Sequence, residues 1–177
     1  MKEESYYDII DRCAKDKEDF PIQNSDLKHA SYLLKTLFRH AESEVCIFTG
    51  KLFPGVFDDK DLRNEAIEFL RKGSDKKLRI AYQEKVPKEE IASRLFLSAL
   101  MADEGRKGVV EVWDVKADLL FDIHHFAVMD RSAFRFELDQ ETRKAIANFG
   151  DKKGAENLAD IFEKIVLKSE KVLSTAN

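Results

Sequence analysis

The sequence predicts an α/β domain built on a mixed sheet, and three observations carry that prediction. Short continuous apolar runs stand at Val45–Thr49, Leu78–Tyr82 and Val109–Trp113. Such runs are the mark of strands covered on both faces, the usual state of parallel strands. Between them lie stretches whose apolar residues recur at helical spacing. From His124 to Glu137 the period changes to two, with a tight turn at Asp130–Ser132, which adds an antiparallel hairpin. After a first helix the order is β-α-β-α-β-β-β-α.

Composition sets the outer bounds. A chain of 177 residues, 44% hydrophobic and 36% charged, fits one globular domain of ordinary size. The net charge of −4, from 30 basic and 34 acidic residues, argues against a nucleic-acid binder that works by bulk charge. Cys13 and Cys46 lack metal-type spacing, and no metal or cofactor is expected. Nothing demands a disulfide, so a reducing cytoplasm is the expected compartment. No apolar run approaches the roughly 20 residues of a membrane span.

Residues 1–24 are charged and weakly patterned, and Phe20-Pro21 breaks any helix there. They read as a leader that packs on the body or on a partner, ahead of a single domain over 25–177. Ser25 or Asp26 caps the first helix, whose stripe is Leu27, Ala30, Leu34, Leu37, Phe38 and Ala41. His29 and His40 on this helix read as exposed or rim residues. Gly50 ends the first strand, and Lys51 beside it could meet an anion at the strand end. The loop 51–57 is apolar for a surface loop, so it either packs down or forms a contact surface. A helix from about Asp59 buries Leu62, Ala66, Phe69 and Leu70. Pro87 opens the next helix, which carries Ile91, Leu95, Phe96, Ala99 and Ala102. Residues 140–148 read as a short charged helix or loop. The last helix begins near Gly154 and runs through Leu173.

The hairpin holds the concentrated polar chemistry. Phe126, Val128, Phe134 and Phe136 alternate with His125, Ala127, Arg135 and Glu137, so the first four can share a core face. His125, Arg135 and Glu137 then share the other face. They form either a polar cluster or a solvated strand edge. Asp130 suits turn amides. His125 reads as a hydrogen-bonded structural residue, a ligand contact, or a nucleophile or general acid. Arg135 suits phosphate or carboxylate because its guanidinium is a planar fork. There is no Gly-rich phosphate loop, no zinc spacing and no nucleophile elbow.

Over roughly residues 27–173, the element order, the strand ending at Asp130, the turn and the final helix resemble one half of the phospholipase D-like fold. Enzymes of that family carry His-x-Lys-x-x-x-x-Asp on this strand and a Gly/Ser…Asn segment on the next. Two halves face each other; one histidine attacks phosphorus and the other protonates the leaving oxygen. Counted back from Asp130, the histidine position falls on Ile123 and the lysine position on His125. The Gly/Ser…Asn segment falls near Glu137–Gln140, where none of those residues stands. A slip of one residue puts His124 in the nucleophile slot and Phe126 in the lysine slot, and flips the strand's faces.

The resemblance therefore implies a degenerate half-domain, one that acts as a cytoplasmic anionic-ligand-binding or assembly module with a phosphate-containing ligand. The alternative is a phosphodiesterase or nuclease that pairs two chains and uses His124 or His125. A third reading is a structural subunit docking through residues 1–24 and 51–57. A homodimer is expected because a single half leaves the polar strand face uncovered.

Overall fold

A computed structural model of the chain describes residues 4–24, 26–116, 124–139 and 141–176. Along the chain run α1 (Tyr6–Asp16), β1 (Ile22–Asn24), α2 (Leu27–His40), β2 (Glu44–Thr49), α3 (Pro54–Phe57) and α4 (Lys60–Arg71). Next come β3 (Lys77–Tyr82), α5 (Lys88–Ser93), α6 (Leu95–Ala102), β4 (Val109–Asp114), β5 (Phe126–Met129) and β6 (Ala133–Asp139). The chain closes with β7 (Lys144–Asn148), α7 (Lys152–Leu167) and β8 (Glu170–Ser174).

The described strands form one eight-stranded sheet in the order β1-β7-β6-β5-β2-β3-β4-β8. Only β2, β3 and β4 are mutually parallel; every other neighbouring pair is antiparallel. The three apolar runs are thus the three parallel strands, buried in the middle of the sheet between helical layers. On one face lie α1, α2, α4 and α6, packed over Val45, Ile47, Leu78, Ile80, Val110 and Val112. On the other lies α7, whose Ala155, Leu158, Phe162, Ile165 and Val166 meet Cys46, Phe48, Phe126, Val128 and Phe134. Gly154 lets the first turn of α7 reach β6, because a Cβ there would stand 2.8 Å from the Phe134 ring. The expected common face of Phe126, Val128, Phe134 and Phe162 is present, with Phe136 partly buried against it.

Helix ends follow the side chains available to cap them. Asp26, Asp59 and Asp151 each accept a backbone N–H from the first turn of α2, α4 and α7. Ser25, the other cap considered for α2, lies outside the described residues.

Several local expectations are corrected. The stretch read as a leader contributes α1 and β1, and Ile10, Cys13, Ala14 and Ile22 join the main core. Residues 144–148 form a strand rather than a helix or loop: Ala145, Ala147 and Asn148 are buried where β7 pairs with β6. Pairing overrides the charged local composition there. The last helix stops at Leu167, and β8 follows, pairing with β4. Here the backbone of an otherwise open sheet edge takes a partner strand, and Val172 and Leu173 still find the core. The helix expected from Pro87 onward is two helices, broken at the extended backbone of Arg94. The apolar loop 51–57 packs down, with Leu52 and Phe57 in the core.

Candidate functional site

The carboxyl ends of β2 and β3 meet the start of β5, because β5 runs antiparallel to β2 with Phe48 opposite Phe126. In open α/β sheets the crevice outside those strand ends is where ligands collect. A cleft of about 230 Å³ opens there. One wall is α2, through Leu27, Ala30 and Leu34, and another is Val56 and Phe57 at α3. Thr49, Gly50, Lys51 and Glu84 come from the loops after β2 and β3. The floor is the polar face of the hairpin: His125, Ala127, Arg135 and Glu137. Ala127 opposes Arg135 across β5 and β6, and Ala147 opposes Arg135 from β7. These short side chains leave space above the guanidinium.

Arg135 is 8% exposed. Among the described residues its hydrogen bonding is a single contact, Nε donating to Asn24 Oδ1 at 3.3 Å. Glu137 Oε2 lies 3.9 Å from Nη1, an ion pair beyond hydrogen-bond distance. Burial pulls the guanidinium below its usual value, and the neighbouring Glu137 carboxylate partly offsets that pull. The imidazole of His125 reaches Gln83 Nε2 with its own Nε2 at 2.8 Å, and Glu137 Oε2 with Nδ1 at 3.8 Å. Whichever way the Gln83 amide is turned, it engages the His125 Nε2. Lys51 Nζ pairs with Glu84 at 3.2 Å. At the rim, the Arg143 guanidinium sits 4.1 Å from the centroid of the Phe53 ring.

The residues singled out from sequence divide into two groups. His125, Arg135 and Glu137 come together at the cleft floor, with Lys51 nearby. His124 does not join them. Its ring lies 5.6 Å from Phe136, and its Nδ1 is buried without a partner among the described residues. The two residues precede β5 and their rings part: His124 lies by Phe136, which packs on the α7 side, and His125 lies at the cleft floor. Ile123, the position matched to the motif's histidine, and Gln140, at the end of the stretch matched to its Gly/Ser…Asn segment, lie outside the described residues.

Asp130 stands at the far end of β5. Its carboxylate accepts the backbone N–H groups of Glu42 at 2.6 Å, Ser43 at 2.8 Å and Glu44 at 2.8 Å, and the Ser43 hydroxyl at 2.7 Å. The turn it begins has φ of 49° at Asp130 and 54° at Arg131, closed by Ser132 N–H donating to Met129 O at 2.9 Å. Met129 pairs with Ala133, so residues 130–132 form a three-residue hairpin loop whose first two positions are left-handed, a conformation that Asp tolerates.

The polar strand face expected to be uncovered is largely buried within the chain, with α2 packed against β5 and β6 and the side chains of His125, Arg135 and Glu137 20%, 10% and 14% exposed. Gln83, Glu84, Asn24 and Arg143 were not anticipated. The strand-end rule could have pointed to Gln83 and Glu84, which follow β3 directly. Nothing in the sequence marks Arg143 or Asn24. Among the described residues no group of three or more His, Cys, Asp or Glu side chains is placed to hold a metal ion, and no helix is long and apolar enough to cross a membrane.

No family model and no curated protein matches the sequence. Solved structures do match. TrmBL2, described as an archaeal chromatin protein with a novel mode of DNA binding, superposes with a TM-score of 0.62 at 16% identity. The match covers 88% of this chain and 54% of that one, so this chain spans about half of TrmBL2. Nuc from Salmonella typhimurium, a phospholipase D family member, matches at 12% identity and a TM-score of 0.56, over 86% of this chain and 98% of that one. NucT from Helicobacter pylori matches at 11% identity and 0.57, with the same coverage. At these identities the likeness speaks to architecture. The α/β chain with its mixed eight-stranded sheet has the phospholipase D-like fold.

Proposed function

We propose that this phospholipase D-like domain binds a small anionic ligand in the cleft between α2 and the β5–β6 hairpin and does not cleave phosphodiesters. The observation that carries the reading is Arg135, a buried cation lining the cleft with one neutral acceptor at 3.3 Å and one carboxylate beyond hydrogen-bond distance. A buried guanidinium left this short of acceptors is costly, and an anion in the cleft would supply them. His125 would add a second contact, and Arg143 at the rim a third.

The chemistry of turnover argues the other way. Phosphoryl transfer needs a nucleophile, positive charge on the phosphate oxygens and a proton donor. The lysine position is His125, whose Nε2 is held by Gln83, and His124 faces away. The likeness to Nuc, a phospholipase D family member, and to TrmBL2, a DNA-binding chromatin protein, makes phosphodiesters and DNA the classes to test. Against DNA stand the net charge of −4 and a cleft lined by as many acidic as basic groups.

One pair of assays decides. Turnover is measured on a bis-aryl phosphodiester and on nicked plasmid, beside a His124→Ala/His125→Ala double variant. Thermal shift is measured with acetate and with inorganic phosphate. The expected result is no turnover above background and stabilisation by an anion that Arg135→Gln removes. Robust hydrolysis abolished in the double variant would instead establish the nuclease reading. His125 at the cleft floor is the observation that favours it.

A further inference from the structure

Arg135 and Glu137 lie side by side on one face of β6, two residues apart. Their side chains are only 10% and 14% exposed. Neither is fully satisfied by the described residues. No described residue donates a hydrogen bond to the Glu137 carboxylate: Arg135 stops at 3.9 Å and His125 at 3.8 Å. The Arg135 Nη groups donate no hydrogen bond to a described residue, since the recorded contact is through Nε. A ligand that completes this floor must bring two things close together: acceptors for the guanidinium and N–H or O–H donors for the carboxylate.

Charge narrows the class. The cleft is lined by Lys51, Arg135 and Arg143 and by Asp26, Glu84 and Glu137, so it is balanced when His125 is neutral. A phosphate dianion would leave two uncompensated negative charges in a partly buried site, which is costly. A zwitterion leaves none. Above the floor the wall turns apolar through Leu27, Ala30, Leu34, Val56 and Phe57.

We infer that the cleft takes a small ammonium carboxylate, an α-amino acid with an apolar side chain, whose carboxylate meets Arg135 and whose ammonium meets Glu137. This rests on the anion-binding reading and goes further by requiring the cation on the ligand.

The test is calorimetric titration of the full chain with each of the twenty L-amino acids. L-leucine and L-phenylalanine are compared with their des-amino acids, 4-methylpentanoate and 3-phenylpropanoate, and inorganic phosphate is included. The expected result is binding of an apolar amino acid at least about tenfold tighter than its des-amino counterpart, the scale of a lost charge-assisted hydrogen bond. Glu137→Gln, which keeps shape and removes charge, should reduce that preference to less than about threefold, weakening the amino acid while the des-amino acid, with one negative charge fewer beside its carboxylate, binds no more weakly than before. Arg135→Lys should weaken both. Melting curves followed by Trp113 fluorescence establish that the variants fold. Equal binding of amino and des-amino acids, or tighter binding of phosphate, would overturn the zwitterion and leave the anion-binding reading standing. No binding of any amino acid, carboxylate or phosphate would overturn both. A preference for the amino acid that survives Glu137→Gln would remove Glu137 from the role assigned to it.

Discussion

Replacing Asp130 by glycine and, separately, by alanine divides its contribution into a clamp and a backbone conformation. The clamp is the carboxylate with its four donors from residues 42–44, at 2.6–2.8 Å. Hydrogen bonds to a charged group contribute about 1.5–3 kcal/mol each, but water can reach most of these N–H groups once the carboxylate is gone, and the bonds are not additive. A loss of about 2–3 kcal/mol for Asp130→Gly follows. Alanine loses the same clamp and must also hold φ near 49°. A left-handed backbone costs a Cβ-bearing residue roughly 1–2 kcal/mol, and Asp, whose short polar side chain bonds nearby backbone, escapes most of that cost where Ala does not, so Asp130→Ala should lose about 3–5 kcal/mol. Asn, which tolerates that backbone and keeps one acceptor, should fall nearest the wild type. The assay is urea unfolding followed through Trp113, the single tryptophan, which is buried in the folded chain. The same variants should bind ligand normally once folded, because the clamp is at the opposite end of the strand from the cleft. An Asp130→Gly variant within about 0.5 kcal/mol of wild type would refute the clamp, and alanine no worse than glycine would refute the backbone part.

Two further predictions concern the α7 face. Phe162 is fully buried, edge-on to Trp113 with ring centroids 6.4 Å apart, so Phe162→Ala should cost about 3–5 kcal/mol in the same urea titration; a cost under about 1 kcal/mol would mean α7 is not docked as described. Arg79 donates to the Glu163 carboxylate and holds its pKa below the usual range. A depressed folded-state pKa gives stability that is present above the unfolded value and lost as pH falls through the folded one. Wild type should therefore lose more stability between roughly pH 5 and pH 3 than Glu163→Gln does, and parallel profiles would show that the pair contributes nothing.

The parts of the fold that could be read in the sequence are those with a period. The three parallel strands and the stripes of α2, α4 and α7 could be read because burial on a covered face requires continuous or periodic apolar residues. The hairpin could be read because Phe126, Val128, Phe134 and Phe136 must share a face if the strands pair. What escaped were strands that exist by pairing. β7 is charged at its start and small inside, and β8 continues a helical pattern past Leu167. Neither carries its own signal, because each is decided by the neighbours it pairs with: β7 lies between β1 and β6, and β8 at the edge beside β4. The cleft floor could be read for the same reason as the hairpin: residues i and i+2 on a strand must share a face. Its other half comes from segments far apart in the chain, with Glu84 and Arg143 brought in by the sheet order, and periodicity has nothing to say about them.

His125 and Asp130 are five positions apart, about 16 Å of extended chain. The strand behaves as a ruler with a cleft at one tip and an anchor at the other. The two tips answer to different demands. Residues over the cleft can be exchanged whenever the ligand changes, since the helices around them hold the shape. The anchor is tied to the α2–β2 loop by four donors and fixes where the hairpin sits in the sheet. A sequence motif stretched along such a strand therefore joins two independent functions in a single string. When the chemistry at one tip is abandoned, the string is expected to fray from that end alone. An aspartate kept at the anchor then reports on the architecture of that strand end, whatever stands at the other tip.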